Sequence, residues 1–315
     1  MNPVENILKD FQVIILDGAL ATELERRGCN INDSLWSAKI LGENPKIIED
    51  VHYDYFMSGA DCAITSSYQA TICGFMEKGF KEDEAIELIK LSVKVAKRAR
   101  DRFWKNPSNR MNRPKPLIAG SIGPYGAYLA DGSEYIGHYN IGEKELIEFH
   151  RPRMKLLLEE GVDILACETI PSLVEAKAIL KLLKEFPSVY AWISFSAKDQ
   201  LNISDGTPIA ECARYLDSYD KVAALGVNCT PPKYIDSLIE QILKNSTKPI
   251  VVYPNSGEEY DSITRTWYGD SSSETFSCSA KSWFDKGARL IGGCCRTNPE
   301  DIKLTCKVLK NNLSN

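Results

Sequence analysis

The feature of this chain that most constrains its fold is a recurrence. Eight short apolar runs rich in β-branched residues, at 13–17, 62–66, 117–121, 164–168, 191–195, 223–228, 250–253 and 290–293, alternate with amphipathic stretches such as 85–102, 143–160, 173–185 and 234–244. Apolar residues spaced three and four apart indicate helix, and short continuous apolar runs bounded by turn residues indicate buried strand. Eight repeats of strand then helix are the pattern of a parallel (β/α)8 TIM barrel, and 315 residues fit one such domain, 1–315. The alternative is an open doubly wound α/β sheet, which calls for a glycine-rich phosphate turn after its first strand. Asp17-Gly18-Ala19-Leu20-Ala21 stands there instead of G-x-G-x-x-G.

A barrel of this kind carries its chemistry at the C-terminal ends of its strands. The residues found there are polar or glycine-rich: Asp17-Gly18, Thr65-Ser66-Ser67-Tyr68, Gly120-Ser121-Ile122-Gly123-Pro124, Glu168-Thr169, Asn228-Cys229, Tyr253-Pro254-Asn255-Ser256-Gly257 and Gly293-Cys294-Cys295. Two insertions break the rhythm. Residues 106–116 are expected to be a surface excursion, whereas 255–279 leave the active face and are expected to cover it.

Cys229 ends the sixth predicted strand, and Cys294 and Cys295 end the eighth. With one strand between them, the two ends bring three thiols within reach of one ion. Spacing alone equally fits a pair of buried cysteines and an unrelated third, because zinc sites usually show tighter C-x-x-C pairs. Placement at the strand ends is what favours zinc. Gly292 and Gly293 are expected to bend the backbone so that both neighbouring thiols face one way. Three thiolates leave a tetrahedral zinc one open position. The assembly carries a formal charge of −1, which suits it to holding a further thiolate rather than to activating water. A free thiol has a pKa of about 8.5 and is mostly protonated at neutral pH. Coordination deprotonates it and keeps the sulfur nucleophilic, which points to alkyl transfer onto a substrate thiol. Cys62, Cys73, Cys167, Cys212 and Cys306 lie in apolar or helical contexts and read as packing residues.

Asp17 and Glu168 end the first and fourth strands. They fit a general acid and base, or a seat for a substrate ammonium, and Asp17 also fits a helix cap. Opposite a thiolate site the ammonium role is the simpler. Gly18 and Ala19 offer backbone N–H groups at a turn entering a helix, where a substrate carboxylate would be held. Thr65, Ser121, Asn228 and Ser256 read as hydrogen-bonding wall residues or as ordinary turn residues. His52, His138 and His150 all fall away from the strand ends, so a Ser/His/Asp hydrolase is poorly supported. Tyr125, Tyr128, Tyr135, Trp267 and Tyr268 are loop anchors or faces for a cationic donor. Three readings stay open on the residues alone. One is zinc-dependent alkyl transfer, the second a metal-independent barrel hydrolase or lyase using Asp17 and Glu168, and the third a non-catalytic barrel with a structural zinc.

The net charge of −5 and the scattered lysines and arginines provide no basic field, so no nucleic-acid partner is expected. No apolar run approaches the ~20 residues needed to span a bilayer, so no membrane partner is expected either. Residues 1–10 show no basic region followed by an apolar stretch, and ten cysteines are spread over a long chain. The expectation is a reduced, cytoplasmic protein.

The segments LDGALATELERRGCN, DSLWSAK, GSIGPYGAYLADGSEY, ACETIP, ALGVNC, VVYPNSGEEYD and ARLIGGCCRT run through nearly the whole chain. Through them the sequence resembles the homocysteine S-methyltransferases, zinc-dependent barrel enzymes, and most closely the bacterial branch that uses S-methylmethionine. The resemblance implies Zn2+ on Cys229, Cys294 and Cys295, and homocysteine held by Asp17, with the adjacent Gly18, and by Glu168. It implies no catalytic side chain beyond the zinc-bound substrate thiolate, which attacks the methyl of S-methylmethionine, or secondarily of S-adenosylmethionine, to give methionine. Near Tyr68 the pattern Ser67-Tyr68-Gln69-Ala70 departs from that of betaine-using relatives, so no metal-ligating tyrosine is assigned. The cobalamin and folate modules of corrinoid-dependent relatives are not expected within these 315 residues.

Overall fold

The computed structural model describes residues 1–261, 266–268 and 272–311. All eight expected barrel strands form. They are β1 (Ile14–Ile15), β2 (Cys62–Ile64), β3 (Leu117–Ile122), β4 (Ile164–Ile170), β5 (Ala191–Phe195), β6 (Val222–Asn228) and β7 (Ile250–Tyr253). After a hairpin of β8 (Glu259–Asp261) and β9 (Thr266–Tyr268) comes the last of them, β10 (Ala288–Ile291). The barrel strands pair in parallel in the order β1-β10-β7-β6-β5-β4-β3-β2. A parallel bridge between Leu16 and Cys62 joins the two ends, with the Asp17 N–H donating to the Cys62 carbonyl at 3.1 Å. This closes the (β/α)8 cylinder, and the open doubly wound alternative falls away.

The strands read as continuous apolar runs because each is buried on both faces. Successive side chains alternate between two cores. Leu16, Ala119, Ala166, Trp192, Ala224 and Val251 pack inside the cylinder. Their neighbours Ile15, Ile118, Leu165, Ile193, Leu225 and Val252 pack against the surrounding helices. Val4 and Ile7 of helix Pro3–Leu8 join the inner set and stopper the N-terminal end. The longest helix, Glu82–Trp104, shows how the outer layer is specified. Ala85, Ile89, Ser92, Val93 and Ala96 recur at helical spacing on its buried face, and Glu82, Asp83 and Glu84 occupy the first turn, where acidic groups suit the helix dipole.

Some details depart from the sequence reading. The fourth strand runs past Glu168 to Ile170, with a register shift against β5 between Cys167 and Ile170. Cys62, Cys167 and Cys212 are buried, but Cys73 is exposed, because the short helix Ile72–Glu77 buries only Gly74 and Phe75. In keeping with packing residues of helices, His52 and His150 are fully buried. Among the described residues no helix is long and apolar enough to cross a membrane.

Candidate active site

Cys229, Cys294 and Cys295 meet at the C-terminal mouth of the cylinder. The Cys229 sulfur lies 2.7 Å from that of Cys294 and 3.6 Å from that of Cys295, and all three fall within 4.8 Å of one another. The end of β7 is strung between the two cysteine loops and braces both. The Cys229 N–H donates to the Tyr253 carbonyl at 3.3 Å, the Cys294 N–H to Pro254 at 2.7 Å, and the Ser256 N–H to the Cys295 carbonyl at 3.0 Å. Cys229 itself sits at φ +47°, a left-handed conformation that non-glycine residues adopt only when the surroundings hold them there. The glycines serve a different purpose from the expected one. Neither Gly292 nor Gly293 has a positive φ. A Cβ on Gly292 would stand 2.6 Å from Leu16 Cβ, and one on Gly293 would stand 2.4 Å from Thr297 Oγ1. They are required for close approach to β1 and Thr297 rather than for bending.

The three sulfurs form a donor set suited to a soft cation. Hydrogen bonds from Cys229 and Cys294 hold the Cys295 thiol well below its ordinary pKa. The corresponding bonds to Cys229 and Cys295 push Cys294 up. Three sulfurs drawn together in this way are groups that a metal ion would bind in place of their protons.

Asp17 and Glu168 are buried at the same mouth, 4% and 7% exposed, and the Glu168 charge favours the neutral form of Asp17. Burial lifts the Asp17 carboxyl well above its usual range, one bond from the Ile64 N–H to Oδ2 at 2.9 Å opposes this, and the nearby Glu168 charge adds to it. Asp17 is not a helix cap. The helix Leu20–Arg26 begins from Ala19 with no side-chain cap. Burial pushes Glu168 up to about 7, against hydrogen bonds from Ser121 and Tyr253 and with the Cys229 sulfur adding to the rise. Two buried carboxyls with few donors are a site that a cation would satisfy.

Below them lies a hydrogen-bonded floor. The Trp192 indole N–H donates to Tyr253 Oη at 3.0 Å, Ser194 Oγ lies 2.6 Å from that oxygen, and Ser194 donates to Asn228 Oδ1 at 2.8 Å. Asn228 then clamps the residue after Glu168: its Oδ1 accepts the Thr169 N–H at 2.7 Å, and its Nδ2 donates to Thr169 Oγ1 at 2.8 Å. Thr169 has φ +59°, an outlier for a β-branched residue, and the clamp is what sustains it. The strained turn coincides with the register shift in β4 and sets the direction in which Glu168 points.

The remaining expected residues hold backbone. Thr65 Oγ1 accepts the Ser121 N–H at 2.9 Å and lies 2.8 Å from Ser67 Oγ, which donates to the Ser121 carbonyl. Ser256 Oγ accepts the Glu258 N–H at 3.4 Å. The Ala19 N–H donates to Thr297 Oγ1 at 3.2 Å, so its donor is already engaged, while Gly18 is pressed against Tyr55 and Thr297. Tyr125 and Tyr128 pack with Phe149 as anchors. Tyr135 instead brings its hydroxyl to 4.0 Å from the Cys229 sulfur. The side chains of Trp267 and Tyr268 lie outside the described residues.

Sequence reasoning missed Thr297, which ties the Ala19 N–H to the Cys294 carbonyl, and Arg153. The fully buried Arg153 donates to the carbonyls of Ser67, Tyr68 and Gly123, and so pins the loops after β2 and β3 together. Its signal was present. With His150, Met154 and Leu157 it occupies the buried stripe of helix Glu143–Glu159, where a charge is out of place unless it has work to do.

The family model described as homocysteine S-methyltransferase matches residues 14–309. Homocysteine S-methyltransferase YbgG of Bacillus subtilis is 66% identical over 303 residues, 96% of either chain. Homocysteine S-methyltransferase of Escherichia coli is 47% identical over 304 residues, again 96% of either chain. The metallated form of the Escherichia coli homocysteine methyltransferase MmuM superposes with a TM-score of 0.87 at 44% identity, covering 97% of this chain and 99% of that one.

Proposed function

Since the chain belongs to the homocysteine S-methyltransferase family, we propose that it moves a methyl group from a sulfonium donor to the sulfur of homocysteine, forming methionine. S-methylmethionine is the donor, with S-adenosylmethionine as a secondary one. The observation that carries this reading is the meeting of three cysteine sulfurs and two buried, under-partnered carboxyls at one mouth.

Cys229, Cys294 and Cys295 are the residues that would hold zinc. Zinc–sulfur bonds of about 2.3 Å in a tetrahedron separate sulfurs by about 3.7 Å. The 3.6 Å between Cys229 and Cys295 matches this spacing, and the 2.7 Å between Cys229 and Cys294 is shorter than it. When bound, zinc supplies charge that deprotonates a thiol at neutral pH while leaving the sulfur nucleophilic.

The chain's own residues do the rest. Asp17 and Glu168 take the ammonium of homocysteine, which is the cation their burial lacks. The backbone at Gly18 faces the amino-acid carboxylate. Ser121 holds Glu168, and Asn228 holds Thr169 so that Glu168 keeps its direction, while Thr65, Ala19 and Ser256 support the wall through backbone contacts. The donor's C–S bond breaks as the new one forms, and its electron pair stays on a neutral thioether. No general acid is required, which agrees with His52 and His150 lying buried in helices. Most of the remaining acceleration comes from aligning nucleophile, methyl and leaving sulfur. One barrel domain, 1–315, carries the whole reaction. The ten unpaired cysteines fit a cytoplasmic setting.

The test is reduced, zinc-loaded protein given homocysteine and methyl-labelled S-methylmethionine. Labelled methyl recovered on homocysteine is the expected result. No transfer from S-methylmethionine, S-adenosylmethionine or betaine contradicts the reading, and full activity after chelation favours a metal-independent hydrolase or lyase instead.

A further inference from the structure

A third acid stands at the same mouth and has no part in the scheme above. Glu134 lies in a single helical turn, Ser133–Tyr135, in the long connection after β3. Its backbone is fixed on several sides. A Cβ on Gly126 would stand 2.4 Å from the Glu134 nitrogen, the Glu134 carbonyl accepts the Ser196 hydroxyl at 3.2 Å, and a Cβ on the following Gly137 would stand 2.9 Å from the Pro171 carbonyl. The turn is therefore a rigid platform, built against the ends of β4 and β5. From it, Tyr135 reaches to 4.0 Å from the Cys229 sulfur. The Glu134 carboxyl lies within electrostatic reach of Cys229, Cys295, Tyr68 and Tyr139. Its Oε2 is buried with no hydrogen-bond partner, and among the described residues no basic side chain forms an ion pair with it.

Charge counting defines what is missing. Asp17 and Glu168 have the ammonium of homocysteine. Arg153, the buried guanidinium beneath the loops, is spent on carbonyls. Glu134 is left without a cation beside a sulfur-rich, electron-rich site, where burial pushes its carboxyl up to about 7. An oxygen with this cost of desolvation calls for a cation with N–H donors. The donor brings two positive groups. The sulfonium loses its charge as the methyl leaves, so an anion set against it would stabilise the ground state more than the transition state and slow the reaction. The ammonium keeps its charge throughout, and binding it costs nothing in the chemical step.

Building on the functional reading above, we propose that Glu134 is the binding residue for the α-ammonium of the amino-acid sulfonium donor. It thereby separates the donor's subsite from that of homocysteine, and selects sulfonium donors that carry a primary ammonium over those without one.

The experiment is steady-state kinetics of Glu134→Gln and Glu134→Asp in the zinc-loaded full chain, with S-methylmethionine and homocysteine varied separately and metal content measured alongside. Losing one charge-assisted contact should raise the KM for S-methylmethionine about tenfold or more. The KM for homocysteine and the metal content should stay at wild-type values. Glu134→Asp, which keeps the charge but shortens its reach, should fall between. A donor KM unchanged in Glu134→Gln overturns the assignment. So does a parallel rise of both KM values with loss of metal, which marks a structural role. If the wild-type protein transfers no methyl from S-methylmethionine at all, the functional reading fails first and this assignment with it. Wild-type turnover combined with an unmoved donor KM in the variant removes this assignment alone.

Discussion

Two buried aspartates stand at opposite ends of the same cylinder, beside neighbouring strands, and their surroundings differ in kind. Asp61, just before β2, is wholly enclosed at the N-terminal end. It accepts the Ile15 N–H at 3.0 Å and both oxygens receive Lys310 Nζ, at 2.8 and 2.7 Å, with Arg113 at 3.5 Å. Asp17, just after β1, is almost as buried at the other end, yet it has one backbone donor and another carboxyl for company. The first site has its cations built in, through the C-terminal helix that carries Lys310, and is finished when the chain folds. The second has its carboxyls built in and is finished only when a cation arrives. A buried charge that the protein leaves unpaired is a cost borne for function.

The same contrast runs through the backbone. Positive φ values at Thr169, Cys229 and Arg296 gather at the C-terminal mouth, and each belongs to a turn that carries or supports a functional side chain. The N-terminal end is stoppered by helix Pro3–Leu8 and its apolar Val4 and Ile7.

Replacing a sulfur at the mouth should have the greatest consequence. Cys295→Ser is expected to lose its metal and more than a hundredfold in methyl transfer, since changes even one shell further out cost ten- to a hundredfold. Metal analysis beside the labelled assay reads both, and a zinc-free variant of full activity would remove the metal from the account. Next, the two aspartates should fail in different currencies. Asp61→Ala leaves Lys310 and Arg113 without their partner and should cost about 3–5 kcal/mol of stability, measured by denaturant unfolding, with KM values unaltered in the folded protein. Asp17→Asn should instead raise the KM for homocysteine about ten- to a hundredfold while metal content holds and the unfolding midpoint does not fall. Exchange of these two phenotypes would mean that the ends have been assigned the wrong way round.

A smaller effect concerns pH. Glu168 has its folded pKa raised to about 7 from an ordinary value of 4.5. Its contribution to stability is therefore full below about pH 4.5 and is lost as pH rises toward 7, because the unfolded chain ionises first. Glu168→Gln escapes that loss. In the metal-free protein it should be the more stable form above pH 7, by on the order of 2–3 kcal/mol, with the gain shrinking to nothing near pH 4.5. Unfolding curves at both pH values check this. A variant that is less stable than the parent at pH 8 would show that Glu168 is satisfied by its hydrogen bonds alone.

How much of this the sequence discloses follows from the range of each interaction. The eight strands are visible because each is a local apolar run, and the cysteine cluster is visible because strand order fixes which ends are neighbours. Asp17 and Glu168 could be located by the same logic. The clamp of Asn228 on Thr169 is not visible, since nothing in the ordinary pair Glu168-Thr169 announces a left-handed turn. Asn228 reads as a wall residue until its oxygen and nitrogen are seen to be engaged by Thr169 and Ser194. Gly292 and Gly293 were recognisable as necessary but not for the right reason, because close approach to Leu16 and Thr297 depends on how β10 meets β1. Glu134 is hidden for a similar cause. It sits in a loop of polar residues, and only the packing of that loop against Gly126, Ser196 and Pro171 turns it toward the sulfurs.

On the proposed function the mouth is complete except for its substrate thiol and ammonium. X-ray absorption at the zinc edge, on zinc-loaded protein before and after homocysteine, tests this directly. Three sulfur neighbours are expected without homocysteine and four with it, and Asp17→Asn is expected to need more homocysteine to reach four. A sulfur count that homocysteine leaves unchanged would contradict it, and would mark the metal as structural.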